Sequence, residues 1–473
     1  MEPELENQPP DDGRKWPRSL AMLALLIAFV VAVQLWGVRA RKGDAEAGSS
    51  VREQALISGD VYIKLDQARP SGSMTAVALR SYRKALPWPS AYRRLGVMKE
   101  SYGRSGLEEF LRLDSKQATR GMDKKEIAKL RREKAMWLRI FSPPKLAPDE
   151  ARRYVKQIES LNLGPLKTAA AAQVYWRAGQ HDKYEEVRAA SRAAARLSVG
   201  LWISLLAVLI VGGSVGFVGA LVFLTRNALR FADAPLLTLR SSMLISAFIV
   251  YLASYIGLSG LAELLSDAAG LADIGEWSGL AYMGLVVLSA GAAFGLGLLT
   301  LVGRAKILGQ DWRQIGFRTA NVGRDVLLGV AGFFGSLPFV FGAAVVALIL
   351  SKTVFRHFPT PDQALNQIVT QGSALEIAMV FFAASVVAPV VEETFFRGVL
   401  YSGFRTRMRV WPSVLVTSAI FAVIHPLPGG FLPIFALACV LALLRERSGL
   451  LLPGIACHCV YNTFVLVITT MVR

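Results

Sequence analysis

The 473 residues predict an all-α fold: a polytopic membrane helix bundle of about nine transmembrane helices, with an extramembrane helical domain between the first and second. Three observations carry this expectation. Hydrophobic residues make up 53% of the chain, charged residues only 19%, and uncharged apolar runs recur at close to the ~20 residues that a bilayer-crossing helix needs. The mean hydropathy of +0.41 excludes an ordinary soluble core as the organising feature.

Taken in order, the apolar runs lie near 19–38, 199–225, 241–262, 277–303, 326–351, 377–404, 410–425, 431–444 and 450–472. The first is longer than the apolar core of a secretory signal and lacks a small-x-small cleavage site, so it reads as an anchor. The short runs 410–425 and 431–444, joined through "PLPGG", could instead form a hairpin that does not cross. The expected divisions are a polar tail 1–18, an anchor 19–38, an extramembrane helical domain 39–196, a second transmembrane helix and linker 197–237, and a membrane domain 238–473.

Charge is uneven. Residues 39–196 hold 33 Lys and Arg against 18 Asp and Glu, a net +15, while the remainder hold 20 against 17. Acidic residues are mixed through the basic segment and no nucleic-acid motif occurs, so a solvated basic surface is expected and nucleic acid is not a predicted partner. Cys439, Cys457 and Cys459 all fall in the last two apolar runs, where cysteine behaves as a small buried hydrophobe rather than as a disulfide framework.

Short loops alternate in charge. Basic clusters at Arg226, Arg230 and Arg240, at Arg304, Lys306, Arg313, Arg318 and Arg324, at Arg405, Arg407 and Arg409, and at Arg445 and Arg447 alternate with acidic Glu263, Asp267, Asp273 and Glu276. By the positive-inside tendency the basic loops and the Arg14-Lys15-Arg18 terminus face the cytoplasm. Lys352 and Arg356 are the exception. This parity puts residues 39–196 outside a bacterial inner membrane, since long translocated segments escape the charge rule.

Helical spacing in "AYRRLGVMKESYG" and "AAAAQVYWRAGQHDKYEEVRAASRAAARL", broken at "LPWPS" and "FSPPKLAP", makes the extramembrane segment helical. The second stretch is expected to fold as helix, Ala-Gly-Gln-His turn, helix. It resembles one tetratricopeptide-type repeat, although no fixed period recurs. A protein partner for 39–196 is one role such a segment would fill.

The chemistry lies in the apolar runs from 377 onward, which contain Glu392, Glu393, Arg397, His425, His458 and Asn462. An ionisable group in a membrane helix is costly unless paired or hydrated and marks a functional site by default. Glu393 and Arg397 are four apart and can pair on one helix face. Glu392 points about 100° away, free to face a cavity, and Pro389 can bend the helix to admit water. At 1.5 Å per residue, Glu392 and His425 lie about 20 Å beyond Arg405 and Trp411, and His458 about 16 Å beyond Arg447, so the groups can meet at one depth.

A carboxylate, two imidazoles and a carboxamide around a wet hole suit peptide hydrolysis. Glu392 with His425 would activate water, and His458 with Asn462, one turn apart, would hold the oxyanion. Glu-Glu-x-x-x-Arg at 392–397, Phe-x-x-x-His at 421–425 and His-x-x-x-Asn at 458–462 resemble the three motifs of the CPBP family, the CAAX-type prenyl-protein endopeptidases and their bacterial bacteriocin-processing and immunity (Abi) relatives. The resemblance covers roughly 240–473, most firmly 375–465, and implies the same four catalytic residues with Glu393 and Arg397 in support. "GQDWRQIGFR" at 309–318 loosely resembles the amphipathic connection that precedes that family's catalytic helices.

The predicted partners are thus a membrane-associated protein or peptide substrate and the lipid bilayer. No cofactor is the favoured expectation, because Glu and His can activate water without metal. The alternative is zinc on Glu392, His425 and His458, a two-histidine, one-carboxylate set, although no His-Glu-x-x-His helix is present. A non-catalytic membrane scaffold or immunity-type binding protein is the competing function. A proton-coupled transporter fits less well, because the polar groups cluster in one half instead of in paired repeats.

Overall fold

The computed structural model describes residues 15–41, 49–70, 72–161, 163–225, 239–268, 275–319, 321–353, 374–425 and 430–471. Arg14, Arg226, Arg230, Asp273, Arg356 and His357 lie outside these residues. No strand occurs among them. The chain divides into two compact units, one of residues 1–44 and 208–467 and the other of 45–207 and 468–473.

In the second unit, helices α2 (Ser49–Ala68), α3 (Ser73–Lys84), α4 (Pro89–Ser101), α5 (Leu107–Leu111), α6 (Lys124–Phe141), α7 (Pro148–Glu159) and α8 (Leu166–Arg177) follow one another, and α9 (His181–Thr225) begins there. The expected breaks are real: α3 and α4 are separated by residues 85–88, "ALPW", and α6 and α7 by residues 142–147. Gly179, at φ 73°, makes the turn between α8 and α9. Asp123 and Glu126 form a capping box that starts α6.

The core of this unit is aromatic. Phe110 stacks on Trp137 and Phe141 at centroid distances of 5.0 and 5.4 Å, and Trp137 is fully buried. Beside it lies a buried ion pair in which Arg94 donates from Nε and Nη2 to the two oxygens of Asp60 at 3.0 Å, while the Tyr82 hydroxyl donates to the same carboxylate at 2.7 Å. Two-point geometry and the added hydroxyl satisfy charges that would otherwise be costly to bury. Gly164 sits above this carboxylate at φ 54°, where a Cβ would come within 2.4 Å of Asp60 Oδ2.

The other unit contains α1 (Lys15–Arg41), the later part of α9, α10 (Ser241–Ala268), α11 (Gly275–Ile307), α12 (Val322–Thr353), a long composite helix α13 (Ala374–Arg405), α14 (Val410–Val423), α15 (Phe431–Ser448) and α16 (Leu452–Met471). Among the described residues, seven helices are long and apolar enough to cross a membrane: α1, α9, α10, α11, α12, α13 and α16. This is a multi-pass helical membrane protein. The expected runs 410–425 and 431–444 are not among these seven: the first folds as a helix of 14 residues, and the second as one of 18 residues that ends in the charged Arg445, Glu446 and Arg447.

Glycines let these helices approach closely, as membrane packing favours. A Cβ on Gly216 of α9 would meet the backbone of Phe334 at 2.4 Å, one on Gly297 of α11 would meet Phe395 at 2.5 Å, and one on Gly329 of α12 would meet the Pro453 carbonyl at 2.5 Å. The small-residue motifs therefore serve internal packing at these positions. Cys457 is buried and all three cysteines are free.

Two features anchor α13. On one side, Phe395, Phe396, Val399 and Leu400 pack against α10, with Tyr251 stacked on Phe395 at 4.0 Å and Phe248 edge-on to Phe396 at 5.0 Å. At its end, Arg405 and the Tyr401 hydroxyl both bond Glu446 of α15, at 3.2 and 2.7 Å. Arg405 and Arg445 are thus buried in the bundle, although as loop cations they suggested solvent-facing positions. The connection at 309–318 forms a short 3-10 turn, Trp312–Ile315, capped by Asp311. Its Ile315 is buried in the same core, and the Gly316 carbonyl accepts from Leu451 N at 3.0 Å.

Candidate active site

The composite helix α13 is not a simple α-helix bent at Pro389. It holds two π-helical stretches, Ala383–Val387 and Glu393–Tyr401, on either side of the five α-helical residues Ala388–Glu392. A π-segment accommodates an extra residue and re-aims the side chains around it, and such segments concentrate at functional sites. The two adjacent glutamates straddle the second boundary, and their environments differ. Glu393 is fully buried, whereas the Glu392 side chain keeps 22% exposure.

Glu393 and Arg397 pair as their spacing predicts, with Nη1 donating to Oε1 at 2.9 Å. The guanidinium is compensated on three sides: Nη2 donates to the Ala438 carbonyl of α15 at 3.2 Å, and its Cζ lies 4.4 Å over the Phe421 ring. A buried membrane cation is tolerable on these terms.

His458 of α16 is held between the two carboxylates. Its Nδ1 lies 3.0 Å from Glu393 Oε1, and its Nε2 lies 3.8 Å from Glu392 Oε2. The first distance is a hydrogen bond that orients the ring. The second is too long for a direct bond, yet one water oxygen can reach both atoms at ordinary lengths. Close packing allows this arrangement: Gly454 of α16 sits where a Cβ would lie 3.0 Å from Glu393 Oε2.

Asn462, one turn beyond His458, donates from Nδ2 to the Ala384 carbonyl at 2.7 Å, inside the first π-stretch. This fixes the carboxamide plane and leaves its second N–H to another acceptor. His425 is half-buried at the end of α14, with Nδ1 2.7 Å from the Phe421 carbonyl and its ring 4.7 Å from that of Phe421. The Phe421 ring also lies 6.0 Å edge-on to His458.

The expected residues are therefore brought together in part. Glu392, Glu393, Arg397 and His458 form one connected cluster, and Asn462 is tied to the same helix α13. His425 joins the group through Phe421, one turn back in its own helix, which supplies both its hydrogen bond and its ring contact. Sequence spacing did not mark three of the positions that shape the site: the carbonyls of Ala384 and Ala438 and the close approach at Gly454. Backbone acceptors and vacant Cβ positions leave no residue-type signature.

A catalytic zinc on Glu392, His425 and His458 would need these three donors to converge. Among the described residues, no group of three His, Cys, Asp or Glu side chains is placed to hold a metal ion. Each histidine has only Nδ1 engaged, His425 by the Phe421 carbonyl and His458 by Glu393, which leaves the Nε2 atoms as the donors that would have to move together.

Comparison with known families bears on the same stretch. Residues 374–464 match the family described as Type II CAAX prenyl endopeptidase Rce1-like. The chain carries an Rce1-like domain. This agrees with the CPBP resemblance and supports an intramembrane endopeptidase activity in general. The match runs from the start of α13 to the turn after Asn462, so the Rce1-like region includes every residue of the cluster and excludes the helical unit at 45–207. Neither the curated proteins nor the solved structures gave a match to the chain.

Proposed function

We propose that the protein hydrolyses a peptide bond of a membrane-associated protein or peptide, using water activated by Glu392 and His425, with His458 and Asn462 holding the oxyanion. The observation that carries this reading is the contrast between neighbouring glutamates. Glu393 is sealed in and paired with Arg397, while Glu392 stays partly open beside His458 Nε2. Only the second is free to take a proton from water.

In the proposed reaction Glu392 accepts the proton of water as its oxygen attacks the scissile carbonyl. The carbonyl oxygen becomes an oxyanion, and collapse expels the amine, which takes the proton. Asn462 would donate its second N–H to the oxyanion. His458 can donate from Nε2 only when doubly protonated, because Nδ1 already faces Glu393; in the neutral ring with Nδ1–H given to Glu393, Nε2 is an acceptor.

We further infer from the basic short loops that the α13 end at Arg405 and the α15 end at Arg447 face the cytoplasm of a bacterial inner membrane, with residues 39–196 outside it. The deciding experiment compares purified wild-type protein and Glu392→Gln on a membrane-peptide library. Loss of processing by about 10²–10⁴-fold without loss of folding is expected. Equal processing would favour a scaffold or immunity-type binding protein.

A further inference from the structure

The helical unit holds a cleft of about 320 Å³ between α2, α8 and the start of α9, within the size range of binding pockets. It is far in sequence from the hydrolytic cluster, and the proposed peptide hydrolysis does not use it. Its lining is mixed. Leu166 and Ala172 are buried apolar residues at its wall, while Arg188 and Arg192 border it from α9. These two arginines are four apart on one helix and so share a face.

The cations are held without being strongly neutralised. Arg188 donates from Nη1 to the Tyr184 hydroxyl at 2.7 Å, and its guanidinium lies 5.1 Å from the centre of that ring. Tyrosine is a neutral partner, so it fixes the side chain and leaves the charge. Arg192 has Glu185 at 3.8 Å, with the carboxylate side chain 62% exposed. That pair is longer than a hydrogen bond and open to solvent, so a bound ligand can replace it.

Asp66 also lines the cleft, but it is already engaged. Its Oδ1 accepts from Gly72 N at 3.0 Å, and its Oδ2 accepts from the hydroxyls of Thr75 and Tyr102 at 3.1 and 2.7 Å. These bonds join the wall to itself and leave little for a cationic ligand. Across the opening, a hydroxyl–hydroxyl bond of 2.8 Å between Thr168 and Ser191 ties α8 to α9 and fixes the width.

We propose that this cleft binds an acidic peptide segment, with Asp or Glu side chains on the Arg188–Arg192 pair and an adjacent aliphatic side chain against Leu166 and Ala172. Planar guanidinium groups match carboxylates two points at a time. The net +15 of residues 39–196 attracts a segment with several negative charges more than it does a single chain terminus. A buried aliphatic wall in a half-open cleft suits a peptide side chain better than a lipid or nucleic-acid phosphate array.

The test uses the full chain in neutral-lipid nanodiscs, in a Glu392→Gln background so that no probe is cut and failure of the hydrolytic reading does not affect the outcome. The probe is a fluorescein-labelled, C-terminally amidated peptide of alternating Glu and Leu, followed by anisotropy. Saturable binding is expected, weakened at least about tenfold by Arg188→Gln or Arg192→Gln, the loss of one charge-assisted pair. Arg188→Lys, which keeps the charge but not the fork, is expected to recover part of it.

Equal binding of the Gln-Leu peptide would overturn the proposal. So would indifference to both arginine substitutions, or equal competition by a neutral peptide with a free C-terminal carboxylate. Stronger Arg188-dependent binding of phosphatidylserine vesicles than of the Glu-Leu peptide would overturn it in favour of a lipid surface.

Discussion

His458 Nδ1 and Arg397 Nη1 converge on one oxygen, Glu393 Oε1, at 3.0 and 2.9 Å. The buried glutamate therefore has two tasks: it compensates the arginine and it orients the imidazole. Glu393→Gln is expected to leave the Arg397 cation poorly matched in a buried site, costing about 3–5 kcal/mol. Arg397→Met should cost a similar amount by stranding Glu393. The double variant Glu393→Gln/Arg397→Met should melt closer to wild type than either single one in thermal denaturation of detergent-solubilised protein, yet remain impaired in hydrolysis because His458 has lost its charged partner.

Asn462 combines a positioning bond to Ala384 with the proposed oxyanion contact. Asn462→Asp keeps the shape and removes both N–H donors, including the one given to Ala384. The expected outcome is a fall in kcat of about 10²–10³-fold, the usual cost of one lost oxyanion donor, with a much smaller change in KM. A change confined to KM would assign Asn462 to substrate binding instead.

Close approaches at glycine predict where a methyl group is not tolerated. Gly297→Ala must push Phe395 or Tyr251, and Gly329→Ala meets the backbone carbonyl of Pro453. Each should destabilise by about 1–3 kcal/mol. Gly342→Ala, with nothing within 4 Å of the new carbon, should leave the melting temperature unchanged or raise it slightly.

Alkali should weaken the helical unit through Tyr102. Burial first, and then the bond to Asp66, push its phenol from 10 up to about 12. The folded state therefore holds this proton more tightly than the unfolded state. The stabilisation is fully present below pH 10 and is lost as pH rises towards 12. Circular-dichroism melts across pH 9–12, a window set roughly by that shift, should show a steeper decline for wild type than for Tyr102→Phe.

Much of this organisation could be read from residue order. Apolar runs located the long helices, Gly179 marked the α8–α9 turn, and the i,i+4 spacing gave the Glu393–Arg397 pair. Three short motifs singled out Glu392, His425, His458 and Asn462 against a nearly uncharged background. Other features were hidden for identifiable reasons. Runs 410–425 and 431–444 read as spans from apolarity alone, whereas the helices that form there are one of 14 residues and one whose last turn carries Arg445, Glu446 and Arg447. Pro389 looked like the cause of a bend, whereas the distortion lies in the π-stretches on either side of it, which no residue type announces. Arg405 and Arg445 looked like loop cations because their partners, Glu446 and the Gln314 carbonyl, come from other parts of the chain.

The π-stretch Glu393–Tyr401 makes the number of residues in α13 as consequential as their identity. Removing one residue there would let ordinary α-helical bonding resume, and everything on one side would turn by about 100° relative to the other. With Arg405 still fastened to Glu446, that rotation would swing the paired glutamates away from α16. The bearing of the acidic pair is thus kept by counting, and a single-codon deletion would defeat it with every named side chain intact.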